Sequence, residues 1–267
     1  MDLSPAQIRQ AAAVLGDARA SRTPIDRLPG SLTPLSRAEG HAIAAHVEQR
    51  SSEPLYGWKI AATSAAGRAH LDIDAPIAGR ILAEDVIADG GTLRLGRRIM
   101  ALAEVEFAFT LGHDLPPREG AYSVAEVSAA VSTAHPAIEL PDTRLVRFAE
   151  VGVAELTADN ACASEFVLGP AAPAGWRDLD LGTLDVAIAV TSADGSVRRL
   201  TGRGSNVLDG PLDALTWIAN ELSPLGITLR RGQVVTTGIV CEPIPLSPGT
   251  RVHADFGPLG TVGMTAE

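Results

Sequence analysis

The chain has 267 residues, of which 46% are hydrophobic and 20% are charged, and its formal net charge is −10. This composition is ordinary for a soluble globular enzyme, and no apolar run is long enough to cross a bilayer. The negative charge argues against nucleic acid or an anionic membrane as a partner, because both require a basic surface. The first twenty residues do not match a secretory signal, and the two cysteines, Cys162 and Cys241, have no zinc-type spacing. We therefore expect a cytoplasmic protein.

The N-terminal part of the sequence predicts two helices. Ser4 followed by Pro5 fits the N-cap and first turn of a helix that ends near Ala20. After a linker, capping-box spacing opens a second helix over residues 36–50. We assign residues 1–54 to an N-terminal helical region.

The rest of the chain, residues 55–267, is predicted to be a body rich in β structure. Short β-branched segments alternate there with Gly and Pro, which is typical of strands and turns. The predicted strands include residues 103–111, 186–191 and 234–240, and the predicted helices cover residues 123–134 and 211–222. Helices and strands do not follow a strict βαβ order, and no glycine-rich phosphate motif follows a strand, which disfavours a nucleotide-binding fold. We therefore expect the α+β class.

Lysine usage singles out one residue. Of the 22 basic residues, 21 are arginine and the single lysine is Lys59. A compact ammonium whose pKa responds to its surroundings cannot be replaced by a planar guanidinium. We interpret Lys59 as a functional residue, with chance as the alternative.

Three glutamates in apolar surroundings form the candidate metal site. Alternation along a strand places Glu104 and Glu106 on the same face, and the apolar residues that follow predict that this strand is buried. Glu139 ends another apolar run. Buried carboxylates need compensation, and three oxygen ligands suit Mg²⁺ or Mn²⁺. An exposed strand face is the alternative for an isolated Glu-x-Glu pair.

Several ordered motifs resemble the 2-keto-4-pentenoate hydratase family, which is similar to the wider fumarylacetoacetase-like group. The resemblance covers about residues 36–267. It rests on Gly57-Trp58-Lys59-Ile60-Ala61-Ala62-Thr63, Asp74-Ala75-Pro76 with Gly79, Glu104-Val105-Glu106, Pro136-Ala137-Ile138-Glu139 with Asp142-Thr143-Arg144, Ala158-Asp159-Asn160-Ala161, Thr237-Gly238, and Gly257-Pro258-Leu259-Gly260.

The resemblance implies a fumarylacetoacetase-like mixed β-roll body that carries one divalent metal ion. Glu104, Glu106 and Glu139 become the metal ligands, and Lys59 becomes a proton donor or an anchor for the substrate carboxylate. A 2-oxo acid that chelates the metal through its ketone and carboxylate oxygens can form a stabilised enolate. A homo-oligomer is also implied.

Further site residues follow from the same motifs, each with a structural alternative. Asp159 is assigned to the catalytic group, with capping or turn formation as its alternative. Arg144 is a candidate for binding a substrate carboxylate, and a structural salt bridge to Asp142 or Asp159 is its alternative. The remaining candidates for substrate binding are Asp142, Asn160, Thr237 and Gly79.

The favoured activity is addition of water to 2-hydroxypenta-2,4-dienoate, or to a related 2-oxo acid, in the degradation of aromatic compounds. The alternatives are decarboxylation of a 4-oxalocrotonate-type diacid, hydrolysis of an acylpyruvate C–C bond, and a non-catalytic partner subunit. Two serines that are common in hydratases of this family are replaced by Cys162 and Ala163, and a common glutamine by Ala44. These departures leave the metal and enolate chemistry intact but weaken the specific prediction of water addition.

Overall fold

The structure is a computed structural model that describes residues 2–267. Short 3₁₀ turns connect many of its elements. The α-helices are α1 (Pro5–Ser21), α2 (Arg37–Ala44), α3 (Ala65–Leu71), α4 (Val124–Ala130), α5 (Gly152–Ala158) and α6 (Pro211–Leu222). The strands are β1 (Gly57–Ala61), β2 (Ile77–Ile81), β3 (Val86–Ala88), β4 (Thr92–Leu93), β5 (Leu102–Leu111), β6 (Val131–Leu140), β7 (Glu165–Leu168), β8 (Asp185–Thr191), β9 (Val197–Arg203), β10 (Val234–Ile239), β11 (Ile244–Pro245), β12 (Arg251–Asp255) and β13 (Thr261–Ala266).

The N-terminal helices begin where the sequence predicts. Ser4 and Gln7 form a reciprocal capping box at the start of α1, and Pro5 occupies its first turn. Ser36 caps α2 through the backbone N–H of Glu39. The predicted second helix is correct only in its first half, because α2 ends at Ala44 and the chain continues to Arg50 as 3₁₀ turns.

The prediction of a helix over residues 123–134 is wrong in its last third. The capping box at Ser123 starts α4 as expected, but the helix ends at Ala130 and β6 begins at Val131. Thr133 is paired with Thr110 of β5. Local helical spacing is overridden here by a β ladder with a strand more than twenty residues earlier, which is a tertiary effect.

The strands form two sheets. The larger has the order β2-β1-β10-β5-β6-β7-β3, with β11 paired to β5, and it contains both parallel and antiparallel pairs. The smaller has the order β4-β13-β12-β8-β9. The predicted α+β class is confirmed, and the three predicted strands correspond to β5, β8 and β10 to within one residue at each end.

The main core lies against one face of β5. Val105, Phe107 and Phe109 are completely buried and belong to one apolar cluster that also includes residues of the smaller sheet. Phe107 meets Phe256 edge to face, with 5.0 Å between the ring centroids. Because successive side chains of a strand point to opposite faces, Glu104 and Glu106 face away from this core.

The N-terminal helices have a small core of their own, which they share with the body. Ala11, Leu15 and Ile43 cluster with Leu145 and with Ala158 of α5. The division at residue 54 therefore stays a prediction, since the first two helices pack against residues from beyond it. No helix of the described residues 2–267 is long and apolar enough to span a membrane.

Candidate active site

Two neighbouring strands bring the three predicted metal ligands onto one face of the larger sheet. Glu104 of β5 is directly opposite Glu139 of β6, and Glu106 is two positions further along β5. Glu106 is 0% exposed and Glu139 is 1% exposed. The sequence predicted the common face of Glu104 and Glu106, and the strand register adds Glu139 to it.

Lys59 of β1 lies within ion-pair distance of this group. Its Nζ is 3.1 Å from Oε2 of Glu139, and its side chain is 2% exposed. Burial alone would lower the pKa of Lys59, but Glu139 and Glu104 outweigh that effect and raise it. The buried ammonium therefore keeps its proton at neutral pH.

Burial makes the carboxylates difficult to ionise. It raises the pKa of Glu106 to about 7, and the negative charge of Glu104 adds to the shift. Burial also raises the pKa of Glu139 to about 8, opposed by Lys59 and assisted by Glu104. The pKa of Glu104 is raised by burial as well. One ammonium does not compensate three buried carboxylates, so this group favours an additional cation.

A bulge in β10 contributes a backbone donor to the same group. The register between β10 and β5 shifts between Thr236 and Ile239, and Gly238 has φ of 96°. Its N–H donates to Oε2 of Glu106 at 2.8 Å. A Cβ on Gly238 would lie 1.9 Å from Oγ1 of Thr63, so only glycine fits at this position.

The donor chemistry of the three glutamates fits a hard divalent cation. Within the described part of the chain, Oε1 of Glu106 is buried without a hydrogen-bond partner, and the buried Oε2 of Glu139 has Nζ of Lys59 at 3.1 Å. Free buried carboxylate oxygens are suitable ligands for such a cation. However, no three His, Cys, Asp or Glu side chains among residues 2–267 are already gathered around one point at ligand distances. The three acids would therefore have to move to share one ion.

A cavity of about 240 Å³ opens onto the polar group. Lys59, Glu104, Thr63 and Gly238 form part of its lining. The other lining residues are mainly apolar and include Leu71, Ile77, Met100, Leu102, Pro141 and Phe148. The cavity is thus a small apolar chamber with charged groups in one wall, which is typical of a small-molecule site.

Gly79 and Asn160 shape this cavity through the backbone. Asn160 accepts from the N–H of Arg80 at 2.7 Å and donates to its carbonyl at 2.8 Å, which fastens the segment to β2. Asn160, Ala161 and Cys162 all have positive φ. A Cβ on Gly79 would be 2.1 Å from the carbonyl oxygen of Asn160. The close approach places Ala161 and Cys162 in the cavity wall.

Arg144 and Asp159 form a buried ion pair with each other. Nε of Arg144 is 2.5 Å from Oδ1 of Asp159. Oδ2 of Asp159 accepts from Oγ1 of Thr143 at 2.6 Å and from the backbone N–H of Arg144 at 3.0 Å. Neither residue lines the cavity that contains Lys59. Of the two roles left open for Arg144, the structure contains the salt bridge to Asp159.

The other two predicted substrate contacts are also engaged in structural hydrogen bonds. Oδ1 of Asp142 accepts from the backbone N–H groups of Ile99 and Met100, both at 3.0 Å. Oγ1 of Thr237 donates to the carbonyl of Phe107 at 3.1 Å. Neither side chain belongs to the lining of the Lys59 cavity.

The sequence does not predict the residues that form the apolar walls of the cavity. Met100, Phe148 and Leu71 come from a loop, a 3₁₀ turn and α3, and no local pattern indicates that they meet. Cys162 is 7% exposed, and burial raises the pKa of its thiol to about 12, with Asp159 adding to the shift. A neutral thiol is a poor nucleophile.

Comparisons with known proteins identify the family. The chain is 32% identical over 262 residues to a 2-keto-4-pentenoate hydratase of Burkholderia vietnamiensis, covering 97% of both chains. It is 33% identical over 208 residues to 2-keto-4-pentenoate hydratase 1 of Dechloromonas aromatica, covering 78% of this chain and 76% of that one. The chain belongs to the 2-keto-4-pentenoate hydratase family. No family model matches the sequence.

A solved structure confirms the fold. The chain superposes with a TM-score of 0.88 on 4-oxalocrotonate decarboxylase from Pseudomonas putida G7, which was solved with magnesium and adipate. The two are 24% identical, and the match covers 99% of each chain. The fumarylacetoacetase-like fold predicted from the motifs is therefore confirmed, as are the family and the prediction of an enzyme.

Proposed function

We propose that this enzyme adds water to 2-hydroxypenta-2,4-dienoate, or to a closely related 2-oxo acid, and so forms a 4-hydroxy-2-oxo acid. The observation that carries the proposal is the buried group of Glu104, Glu106, Glu139 and Lys59, of which Lys59 and Glu104 line one small, mostly apolar cavity. The names of the relatives support hydration over other reactions of an enolate.

Glu104, Glu106 and Glu139 would hold the divalent metal ion, and we propose Mg²⁺ or Mn²⁺. All three side chains offer oxygen, which these hard cations prefer. The structural neighbour that was solved with magnesium supports this choice. A bound divalent cation would stabilise negative charge on the 2-oxo oxygen of the substrate.

Lys59 would act as a protonated group throughout. Its ion pair with Glu139 and its raised pKa make it a poor general base, and they favour an anchor for the substrate carboxylate over a proton donor. A substrate carboxylate that enters the cavity meets Lys59 as the only Lys or Arg side chain of the described lining. The 2-oxo acid end of the substrate would therefore face this wall.

The apolar walls favour a substrate with a single carboxylate. The tail of a bound 2-oxo acid would face Met100, Phe148 and Leu71, and the histidine of this lining, His70, packs its ring against Phe148. A second carboxylate in this place would lose its hydration without gaining an ion pair, which is costly. A C5 mono-acid avoids that cost.

Decarboxylation of a 4-oxalocrotonate-type diacid is the second candidate function. The fold likeness to 4-oxalocrotonate decarboxylase across almost the whole chain favours it. Cys162 and Ala163, which replace the two serines common in hydratases, also provide no hydroxyl group. The lack of a second guanidinium or ammonium in the described cavity lining disfavours it.

Product analysis distinguishes hydration from decarboxylation and hydrolysis. The enzyme is incubated separately with 2-hydroxypenta-2,4-dienoate, 4-oxalocrotonate and an acylpyruvate in the presence of Mg²⁺ or Mn²⁺, and products are identified by mass spectrometry. We expect the first substrate to gain one water and the other two to remain unchanged. Loss of carbon dioxide from the diacid would establish the decarboxylase. Cleavage of an acylpyruvate into two fragments would establish the hydrolase, and no turnover of any substrate would indicate a non-catalytic subunit.

We further propose a homo-oligomer located in the cytoplasm. The family resemblance supports the assembly, and the acidic net charge supports a protein that binds neither nucleic acid nor anionic lipid. Sedimentation and cell fractionation test the two statements.

A further inference from the structure

A second cavity, which we name the arginine cleft, lies between the N-terminal helical region and the body. Its volume is about 280 Å³. It shares no lining residue with the cavity of Lys59. The arginines that line it are Arg19, Arg22, Arg50, Arg97, Arg98 and Arg144.

Positive charge exceeds negative charge in this cleft. Its six guanidinium groups are opposed by three lining carboxylates, those of Asp85, Asp142 and Glu165. Oδ1 of Asp142 already accepts two backbone hydrogen bonds, so this carboxylate has less capacity left to pair with an arginine. Such an excess is unexpected in a chain with a net charge of −10. It concentrates a positive potential in a concave site, which attracts anions.

Three of the arginines form the partly buried floor of the cleft. Arg19 pairs with Asp85 at 2.7 Å, and Arg98 pairs with Glu165 at 2.5 Å. The side chains of Arg19 and Arg98 are 15% and 6% exposed. Arg144 is also buried, and it pairs with Asp159, which does not line the cleft. The floor is thus a rigid set of guanidinium groups with fixed positions.

The other three arginines lie at the rim without an acidic partner. Among residues 2–267, no carboxylate lies within ion-pair distance of Arg22, Arg50 or Arg97. Nη1 of Arg22 lies 2.6 Å from where a Cβ on Gly96 would be, directly beside the segment that carries Arg97. These like charges repel one another unless an anion lies between them.

Arg19 is affected by the same crowding. Burial lowers its pKa, and the nearby charges of Arg144 and Arg50 lower it further despite the contact with Asp85. An anion in the cleft would oppose both effects, because it favours the charged form of each guanidinium.

We propose that the arginine cleft binds a small polyanion that carries carboxylate or phosphate groups. Guanidinium groups bind both kinds of group through paired hydrogen bonds. A cavity of about 280 Å³ matches a small metabolite and not a polymer. The site does not depend on the proposed hydratase activity.

An acidic side chain of a second copy of the chain is the competing occupant. The cleft is concave and its floor is recessed, whereas an interface between subunits is generally broad and nearly flat. The concavity favours a small molecule over a protein surface.

Calorimetric titration with inorganic phosphate, and separately with succinate, tests the proposal. The full-length protein is titrated at an ionic strength fixed with sodium chloride, so that general screening stays constant. We expect saturable binding of at least one anion. Arg97→Gln and Arg50→Gln should each weaken that binding by about tenfold or more.

Arg199→Gln is the matched control, because Arg199 is an exposed arginine of β9 with no role in the cleft. It should bind the anion as tightly as the parent does. Equal affinity in the parent and in both cleft variants would overturn the proposal, as would no saturable heat with either anion. Sedimentation of the same variants tests whether a second copy of the chain fills the cleft instead. That would be shown if the parent binds neither anion and a cleft variant dissociates the assembly.

Discussion

Lys59 is the residue on which the proposed chemistry depends most. It is the single lysine of the chain, it is almost completely buried, and it lies 3.1 Å from a carboxylate oxygen of Glu139. These observations agree with a role that arginine cannot fill. The lysine content of the sequence is sufficient to indicate a special role for Lys59. That Glu139 is its partner follows only from the folded structure, in which β6 pairs with β5.

The first prediction concerns replacement of Lys59. Lys59→Met should lower kcat/KM by roughly 10²–10⁴-fold with the fold intact, the range typical of a positioned acid or base. Lys59→Arg should recover substrate binding better than turnover if the ammonium transfers a proton, because a guanidinium holds its proton tightly. Steady-state kinetics with circular dichroism as the folding control measures both variants. Full activity of Lys59→Met would show that the single lysine is accidental.

The second prediction separates a structural role of Arg144 from a substrate contact. Arg144→Met leaves the buried carboxylate of Asp159 without its cation, which should cost about 3–5 kcal/mol of the free energy of unfolding. Arg203→Met is the control, since Arg203 and Asp185 form an exposed pair at 3.3 Å whose loss should cost at most about 1 kcal/mol. Urea denaturation compares the two. A stable Arg144→Met protein with a raised KM would restore the substrate role.

At the scale of elements, the pattern of β5 correctly predicted the common face of two candidate metal ligands. Alternation within one strand was sufficient to place Glu104 and Glu106 on the same face, away from Phe107. Glu139 joined them only through the register of β6, which is a non-local property. The same non-locality explains the error over residues 123–134, where pairing with β5 converted the predicted end of a helix into a strand.

The third prediction concerns the close approach between β2 and the segment that follows α5. Gly79→Ala would place a Cβ 2.1 Å from the carbonyl oxygen of Asn160, so one of the two backbones must move. We expect a loss of about 1–3 kcal/mol in the free energy of unfolding and a fall in activity, because the cavity wall shifts.

Gly16→Ala provides the matched control for that change. Gly16 lies in α1, and a Cβ there would meet no atom within 4 Å. This variant should be as stable as the parent or more stable by roughly 0.5–1 kcal/mol, since alanine is the better helix former. If both glycine variants unfold at the same denaturant concentration as the parent, the close contact at Gly79 is not important for stability.

At the scale of the whole molecule, the order of the family motifs predicted the fold better than local patterns did. Several short segments, each weak alone, occur in the correct order over about residues 36–267 and imply one architecture. The cavity walls were not predictable, because Met100, Phe148 and Leu71 meet only after the chain has folded. The assignments of Asp159 and Arg144 show the same limit, since their mutual ion pair turns both away from the cavity.

The fourth prediction concerns assembly. The larger sheet ends at β2 and β3, and the smaller ends at β4 and β9, so a single copy presents several strand edges. Exposed edges favour association with other chains unless they are protected. We expect sedimentation velocity at micromolar concentration to show a species well above 27.7 kDa, the mass of one chain. A purely monomeric boundary would refute the homo-oligomer.

The metal site is the centre of the proposed chemistry, and calorimetric titration of Mg²⁺ and Mn²⁺ tests it most directly. Glu106→Gln removes one negative charge from the three buried carboxylates and should weaken metal binding at least about tenfold, whereas Glu119→Gln, at an exposed glutamate outside the site, should leave it unchanged. Lys59→Met should change the metal affinity far less than Glu106→Gln does. Metal binding by Glu106→Gln that is as tight as in the parent would contradict the assignment of the three glutamates as ligands.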